Sequence, residues 1–148
     1  MTQTQLPDDG IITLVPWTDA LAEAQGHPVR GDYVEHFWLG ILGPTATWLL
    51  RRCALLAEQS PEGSVADLNV LAYSLGLAYH PGRHNPFSRG FDRCLMFGMM
   101  RHLTIAPSVF AVRTSVPSLS LRHLARLPEA LQTAHADWTT GRGAPLSR

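Results

Sequence analysis

The sequence predicts an α+β fold, mostly helical, on three observations. Apolar residues recur at helical spacing around residues 33–59, 64–76, 85–100 and 120–138. Two other stretches, 11–15 and 103–116, carry short apolar runs bounded by Gly or Pro, as strands do. Within 64–116 the order is helix, turn, helix and then a hairpin-like ribbon, so the strands follow the helices instead of alternating with them. A chain of 148 residues has room for one real core, and one domain is expected.

Composition sets the outer limits. Apolar residues make up 45% of the chain and charged residues 16%, the profile of a folded domain with a sparsely charged surface. The longest uncharged apolar run, 37–50, contains Gly43-Pro44 and falls short of the roughly 20 residues that span a bilayer. It reads as buried helix, and no membrane partner is expected. The opening MTQTQLPDDG lacks the basic start and apolar stretch of a signal peptide. Cys53 and Cys94 each sit within a helical apolar pattern, where a reduced core thiol is expected. These features point to a cytoplasmic protein.

The formal net charge is zero, but it is unevenly spread. Residues 1–67 hold nine acidic residues against three arginines, residues 68–148 hold nine arginines against three acidic residues, and lysine is absent. Arginine suits bidentate contact with phosphate or guanine. The polarity favours a DNA partner and is also compatible with self-association, acidic half against basic half.

In chain order, residues 1–10 read as a mobile polar arm. Residues 11–15, stopped by Pro16, read as a strand, and 19–25 as one or two helical turns before Gly26-His27-Pro28. From Asp32, Tyr33, Phe37 and Ile41 repeat at i+4, and so do Leu49, Cys53 and Ala57. Pro44 lacks an amide proton and crowds the turn before it, so one helix stops there and a second, 44–59, begins. Ser60-Pro61-Glu62-Gly63 ends it. Ser64 then reads as an N-cap with Asp67 in the capping-box position, opening a helix whose apolar face is Leu68, Leu71, Ala72 and Leu75 and whose stop is Gly76.

A loop, 77–84, leads to Asn85-Pro86, a strong helix start. At roughly 100° per residue, Phe87, Phe91, Cys94 and Gly98 gather on one side of this helix. Asn85, Arg89, Arg93, Met96 and Met100 take the exposed side. Two β-like runs, 103–105 and 109–116, flank Ala106-Pro107-Ser108. Ser120 opens a helical tail, divided by Pro128, whose Leu121, Leu124, Leu127, Leu131, Ala134 and Trp138 make an apolar stripe. The predicted division is an N-terminal arm with a short strand or helix (1–30), a central unit (31–117), C-terminal helices for core closure or dimerisation (118–140) and a disordered tail (141–148).

The string WLGILGPTATWLLRRCALL resembles the opening helix of winged-helix domains in replication-initiation and regulatory proteins, where a Leu-Gly-Pro turn feeds a helix rich in aromatics and leucines. Ala72, Gly76 and Leu77 resemble the first helix and turn of helix-turn-helix proteins. The chain is thus similar to the winged helix-turn-helix superfamily, with extra N-terminal and C-terminal helices. One departure is the 77–84 loop, because such motifs usually turn in about three or four residues. The resemblance implies that 85–100 is a recognition helix and 103–116 a wing, with double-stranded DNA as the partner. It also implies a homodimer through helices outside the motif, here by way of Leu124, Leu131 and Trp138.

The expected DNA-contacting residues are Arg83, His84, Asn85, Ser88, Arg89, Arg93 and Arg113. The plainer alternatives are a solvated helix face with Asp92 as ion-pair partner for Arg89 and Arg93, a polar loop at Arg83 and His84, and an edge-strand guard at Arg113. His80, His84 and Cys94 do not share a helical face, since Pro81-Gly82 intervenes, so no metal site is expected. No G-x-S-x-G, P-loop or G-x-G-x-x-G occurs, and neither a cofactor nor an enzymatic activity is expected. The sequence therefore reads as a DNA-binding transcriptional regulator. The alternative is a winged-helix adaptor in a replication or transcription complex, using the apolar tail or Met96 and Met100.

Overall fold

Ile11–Trp17 forms β1, the strand on which the sheet is laid, in a computed structural model that describes residues 6–82, 84–104 and 108–141. The strand runs through Pro16 instead of stopping there. Thr13 donates its amide to Ser108 O at 2.8 Å, so alternation sends the amides of residues 15 and 17 the same way. The nitrogen of Pro16 points to the other side, where the neighbouring strand has already ended opposite Leu14. A missing donor costs nothing there.

Three further strands complete the sheet: β3 (Ser64–Asp67), β4 (Met100–Thr104) and β5 (Val109–Arg113), in the order β3-β1-β5-β4. The central pair, β1 and β5, is parallel, and the two outer pairings are antiparallel. A second, two-stranded sheet joins β2 (His27–Pro28) to β6 (Ser115–Val116). The helices are α1 (Ala20–Gln25), α2 (Leu39–Leu42), α3 (Pro44–Gln59), α4 (Leu68–Ser74), α5 (Pro86–Met96), α6 (Leu121–Leu124) and α7 (Glu129–Thr140). The molecule is an α+β fold around a small mixed sheet. No helix among the described residues is long and apolar enough to cross a membrane.

α3 is the spine. Its Leu49, Leu50, Cys53, Ala54 and Ala57 are fully buried, and the helix packs on β1, β3, β5 and α5. Ile12 and Leu14 of β1 and Phe110 and Val112 of β5 form the sheet's contribution to the same core. α5 lies close against the start of α3. A Cβ on Gly90 would stand 2.7 Å from Thr45 Cγ2, and the Cys94 thiol donates to Ala46 O at 3.3 Å. Ahead of α2 the chain makes a π-helical turn, Val34–Trp38, closed by the Leu39 amide on Val34 O. The wider turn keeps Tyr33, Val34, Phe37 and Trp38 all buried, which a regular turn spreads over a broader arc.

Several expectations are corrected. Ser64 caps no helix; it starts β3, and Asp67 is the N-cap of α4, accepting from the Asn69 and Val70 amides at 2.8 and 3.3 Å. Residues 6–10 are not a free arm, since Leu6 packs on the core and Leu68 donates to Gly10 O. The expected two-stranded wing is part of a larger sheet, in which β1 separates β3 from β5. Its tip, residues 105–107, lies outside the described residues, as do residues 142–148 of the expected tail. The predicted run 109–116 breaks at Thr114, after which β6 turns away to pair with β2. Met100 is not on an exposed helix face; it starts β4 and is buried.

The close contact of α5 with α3 predicts the behaviour of Gly90. Alanine there gains roughly 1 kcal/mol of helix propensity but meets the Thr45 methyl. Gly90→Ala should therefore be neutral or destabilising in the native background and stabilising in a Thr45→Ser background, as read by urea denaturation of both.

Candidate nucleic-acid interface

α5 begins on Asn85, whose side chain is committed to the helix. Its Oδ1 accepts the Ser88 amide at 3.0 Å, its Nδ2 donates to His80 O at 3.2 Å, and Ser88 Oγ accepts from the Asn85 amide at 3.2 Å. This reciprocal cap fixes the entry to α5 and ties it to the preceding loop. Two of the expected contact residues, Asn85 and Ser88, thus define the helix start. Asn85 is buried, and Ser88 is half-buried.

Phe87, Gly90, Phe91 and Cys94 are buried, as their spacing predicts. Arg93 departs from its expected place on the exposed face. Its Nε donates to Leu42 O at 2.8 Å and one terminal nitrogen donates to Ile41 O at 2.7 Å, with the guanidinium 5.3 Å from the Phe97 ring centre. Those two carbonyls belong to the end of α2, where no helical amide reaches them. Gly43-Pro44 follows, and Pro44 has no amide to offer. Arg93 supplies the missing donors.

Arg113 is likewise occupied. Its Nε donates to Gly98 O at 2.7 Å, and another guanidinium nitrogen forms an ion pair with Asp19 at 3.0 Å. The guanidinium also lies 4.1 Å from the Trp17 ring centre. The hydrogen bond from Arg113 is the main reason the Asp19 carboxyl is held below its ordinary value of 3.8. Arg89, by contrast, is exposed on α5, and its side chain makes no hydrogen bond or ion pair among the described residues. His84 is exposed, and Arg83 lies outside the described residues. The seven expected residues therefore do not form one cationic face. Those that remain at the surface sit at the N-terminal end of α5.

A second surface escapes sequence reasoning. Trp48 is 52% exposed and Tyr73 72% exposed, and Trp48 lines a cleft of about 320 Å³ between α3 and the end of α4. Pro44, Leu75 and Leu77 complete its apolar wall, and Arg52 stands at its rim. Arg51 lies 5.2 Å from the Trp48 ring centre. The signal is present in the sequence, since Trp48, Arg51 and Arg52 fall at i, i+3 and i+4 and so share one face of α3. A tryptophan on the arginine side of an amphipathic helix is the feature to notice.

A partly buried polar cluster fastens the C-terminal segment. Tyr33 Oη accepts the Leu119 amide at 2.9 Å and makes a 2.6 Å bond with His135 Nε2. His27 stacks on the Tyr33 ring at 3.5 Å and bonds Ser118 Oγ at 2.8 Å. Burial holds the Tyr33 hydroxyl protonated above its ordinary 10.0 and holds His135 below 6.5; burial, then the neighbouring His135, also lowers His27 below 6.5. The Tyr33–His135 bond thus joins a protonated hydroxyl to a neutral imidazole. Leu124, Leu131 and Trp138 pack half-buried on the core beside this cluster. These three side chains of the expected dimer stripe are thus partly covered by their own chain.

Both thiols are deep in the core. Burial pushes Cys53 up to about 12 and Cys94 well above 9.0, so neither is a thiolate near neutral pH. Among the described residues no three His, Cys, Asp or Glu side chains are placed to hold a metal ion. Comparisons with protein-family models, curated proteins and solved structures gave no match.

Two predictions concern these side chains. Arg93→Ala should destabilise the fold by about 2 kcal/mol or more, because it leaves the Ile41 and Leu42 carbonyls without donors. Arg89→Ala should leave the denaturation midpoint nearly unchanged. The histidines predict a pH response. Their folded values lie below 6.5, so the unfolded chain binds more protons. The stability they confer is present in full above 6.5 and lost progressively as the pH falls through their depressed folded values. Thermal midpoints should drop on acidification from pH 7 to 5, and His135→Gln should flatten the drop.

Proposed function

We propose that the chain is a non-catalytic, DNA-binding module of winged-helix type, which contacts duplex DNA through the N-terminal half of α5. The observation that carries this reading is the order α3, β3, α4, α5, β4, β5. It runs helix, strand, helix, helix, hairpin, with the second helix of the pair bearing an exposed arginine, Arg89, whose side chain has no partner among the described residues. In a winged helix-turn-helix that helix is the one inserted in the major groove. The capping box on Asn85 and the clamp from Arg93 support this use, because they hold α5 rigid from both sides while Arg89 stays open. Under this reading Arg93 and Arg113 are positioning residues rather than contacts, and regulation of transcription is the role proposed for the bound state.

A second reading is favoured by Trp48 and Tyr73. Tryptophan, tyrosine and arginine around an apolar cleft are the residue types that dominate protein interfaces. An adaptor using the α3–α4 cleft would explain why Trp48 stands exposed in its wall, with Tyr73 exposed on the adjoining α4. This cleft replaces most of the apolar tail and Met100 as the adaptor's contact surface, since Leu124, Leu127, Leu131, Ala134, Trp138 and Met100 pack on the core; Leu121 and Met96 are exposed.

Fluorescence anisotropy with a generic labelled duplex separates the two. The DNA reading expects binding at low salt that weakens steeply as salt rises. Arg89→Ala should then lower affinity several-fold and reduce the salt slope by about one unit. No binding at low salt would end that reading. The adaptor reading expects instead that Trp48→Ala and Tyr73→Ala abolish co-purification of a partner, with the fold intact.

A further inference from the structure

On the outer face of the four-stranded sheet, Arg113 of β5 pairs with Asp19, the N-cap of α1. α3, α4 and α5 all contribute to the core on the side of Ile12, Leu14, Phe110 and Val112. Strand alternation turns Ile11, Val15 and Trp17 of β1, Val65 of β3 and Val109 of β5 to the opposite side, with Leu103 in the bulge opposite Val109. Val65 is 72% exposed, Leu103 48% and Ile11 37%. A sheet face meant for water carries polar residues, and a parallel central pair such as β1–β5 is ordinarily covered on both faces. Here the outer face mixes these apolar side chains with Thr13, Asp67, Arg101, Thr104 and Arg113, and Val65, Leu103 and Ile11 stand exposed on it.

Its margins carry opposite charge. On the β3 side, Glu62 and Asp67 flank Val65, and Asp8 and Asp9 precede Ile11; all four are exposed. On the β4 side stands Arg101, exposed, with its guanidinium 4.6 Å from the Trp17 ring centre and no carboxylate partner among the described residues. A foreign partner of either sign would meet one margin of its own sign. The face is complementary to itself.

We propose that this face binds a second copy of the chain about a twofold axis running along the strands between the two sheets. That operation lays β3 of each copy opposite β4 of the other, so the acidic margin of one meets Arg101 of its partner at both ends. Val65 of each copy then packs against Leu103 of the other near the two edges of the interface, as facing sheets do. The proposal does not depend on DNA binding. α5 lies in the helical layer on the far side of the sheet and remains open in the dimer.

Sedimentation equilibrium and light scattering on the full chain test it. The native protein should have twice the 16.3 kDa chain mass at micromolar concentration and above. Val65→Glu and Leu103→Glu should each weaken the dimer by about tenfold or more while leaving circular dichroism and the thermal midpoint of the monomer unchanged. Arg101→Glu and Glu62→Arg should each weaken it, and the double variant should recover most of the loss. A monomer at all concentrations would overturn the proposal. So would a dimer indifferent to Val65→Glu and Leu103→Glu, which places the interface elsewhere, or a charge swap that restores nothing, which removes the crossed arrangement.

Discussion

The fold depends on burying one whole face of α3. A helix in that position cannot carry large side chains across that face, because three strands and a second helix must approach it. The sequence answers with Ala46, Cys53, Ala54 and Ala57 among its leucines and with Gly90 on the facing helix. Small residues bring the axes of α3 and α5 close, and the close approach brings the Cys94 thiol to a backbone carbonyl. The thiols gain their inertness from the same burial. Everything else in the molecule is arranged around this helix: the sheet below it, α5 beside it and the C-terminal helices closing over the chain that leads into it.

Arginine is used here chiefly to finish backbone that helices and strands leave open. Arg93 satisfies the last carbonyls of α2, Arg113 holds Gly98 O, and Arg51 donates to the carbonyls of Val29, Arg30 and Gly31, pinning that loop to α3. A planar fork with several donors reaches two or three carbonyls at once, which an ammonium on a flexible stem does poorly. The absence of lysine fits this use, although coding bias gives the same composition.

Legibility followed range along the chain. The bounds of α3 were plain because Pro44 and the Pro61–Gly63 breaker act locally, and the start of α5 was plain because Asn85-Pro86 is a local signal. The polar side of α5 was only half legible. Periodicity places Arg89 and Arg93 together, but the carbonyls that capture Arg93 lie about fifty positions earlier, and no spacing rule reports them. The same holds for Arg113 and Asp19. Ser64 misled because a serine three residues before an acid marks either a capping box or a strand that ends in a cap, and here the acid itself is the cap. β1 was recognised as a strand, but its insertion between β3 and β5 was not, since pairing partners are not written in a five-residue run.

The parallel pairing of β1 with β5 has a consequence for how the protein comes into being. The first strand to leave the ribosome is completed by the last strand of the sheet, and α3, α4 and α5 all lie between them in sequence. Contacts of such high sequence separation form late and slow folding. During synthesis the spine helix and its leucines must therefore wait, with half their sheet missing, until residue 113 has emerged. In that interval β1 has one edge unpaired and the core face of the sheet open, which makes the nascent chain a natural client for a holding chaperone.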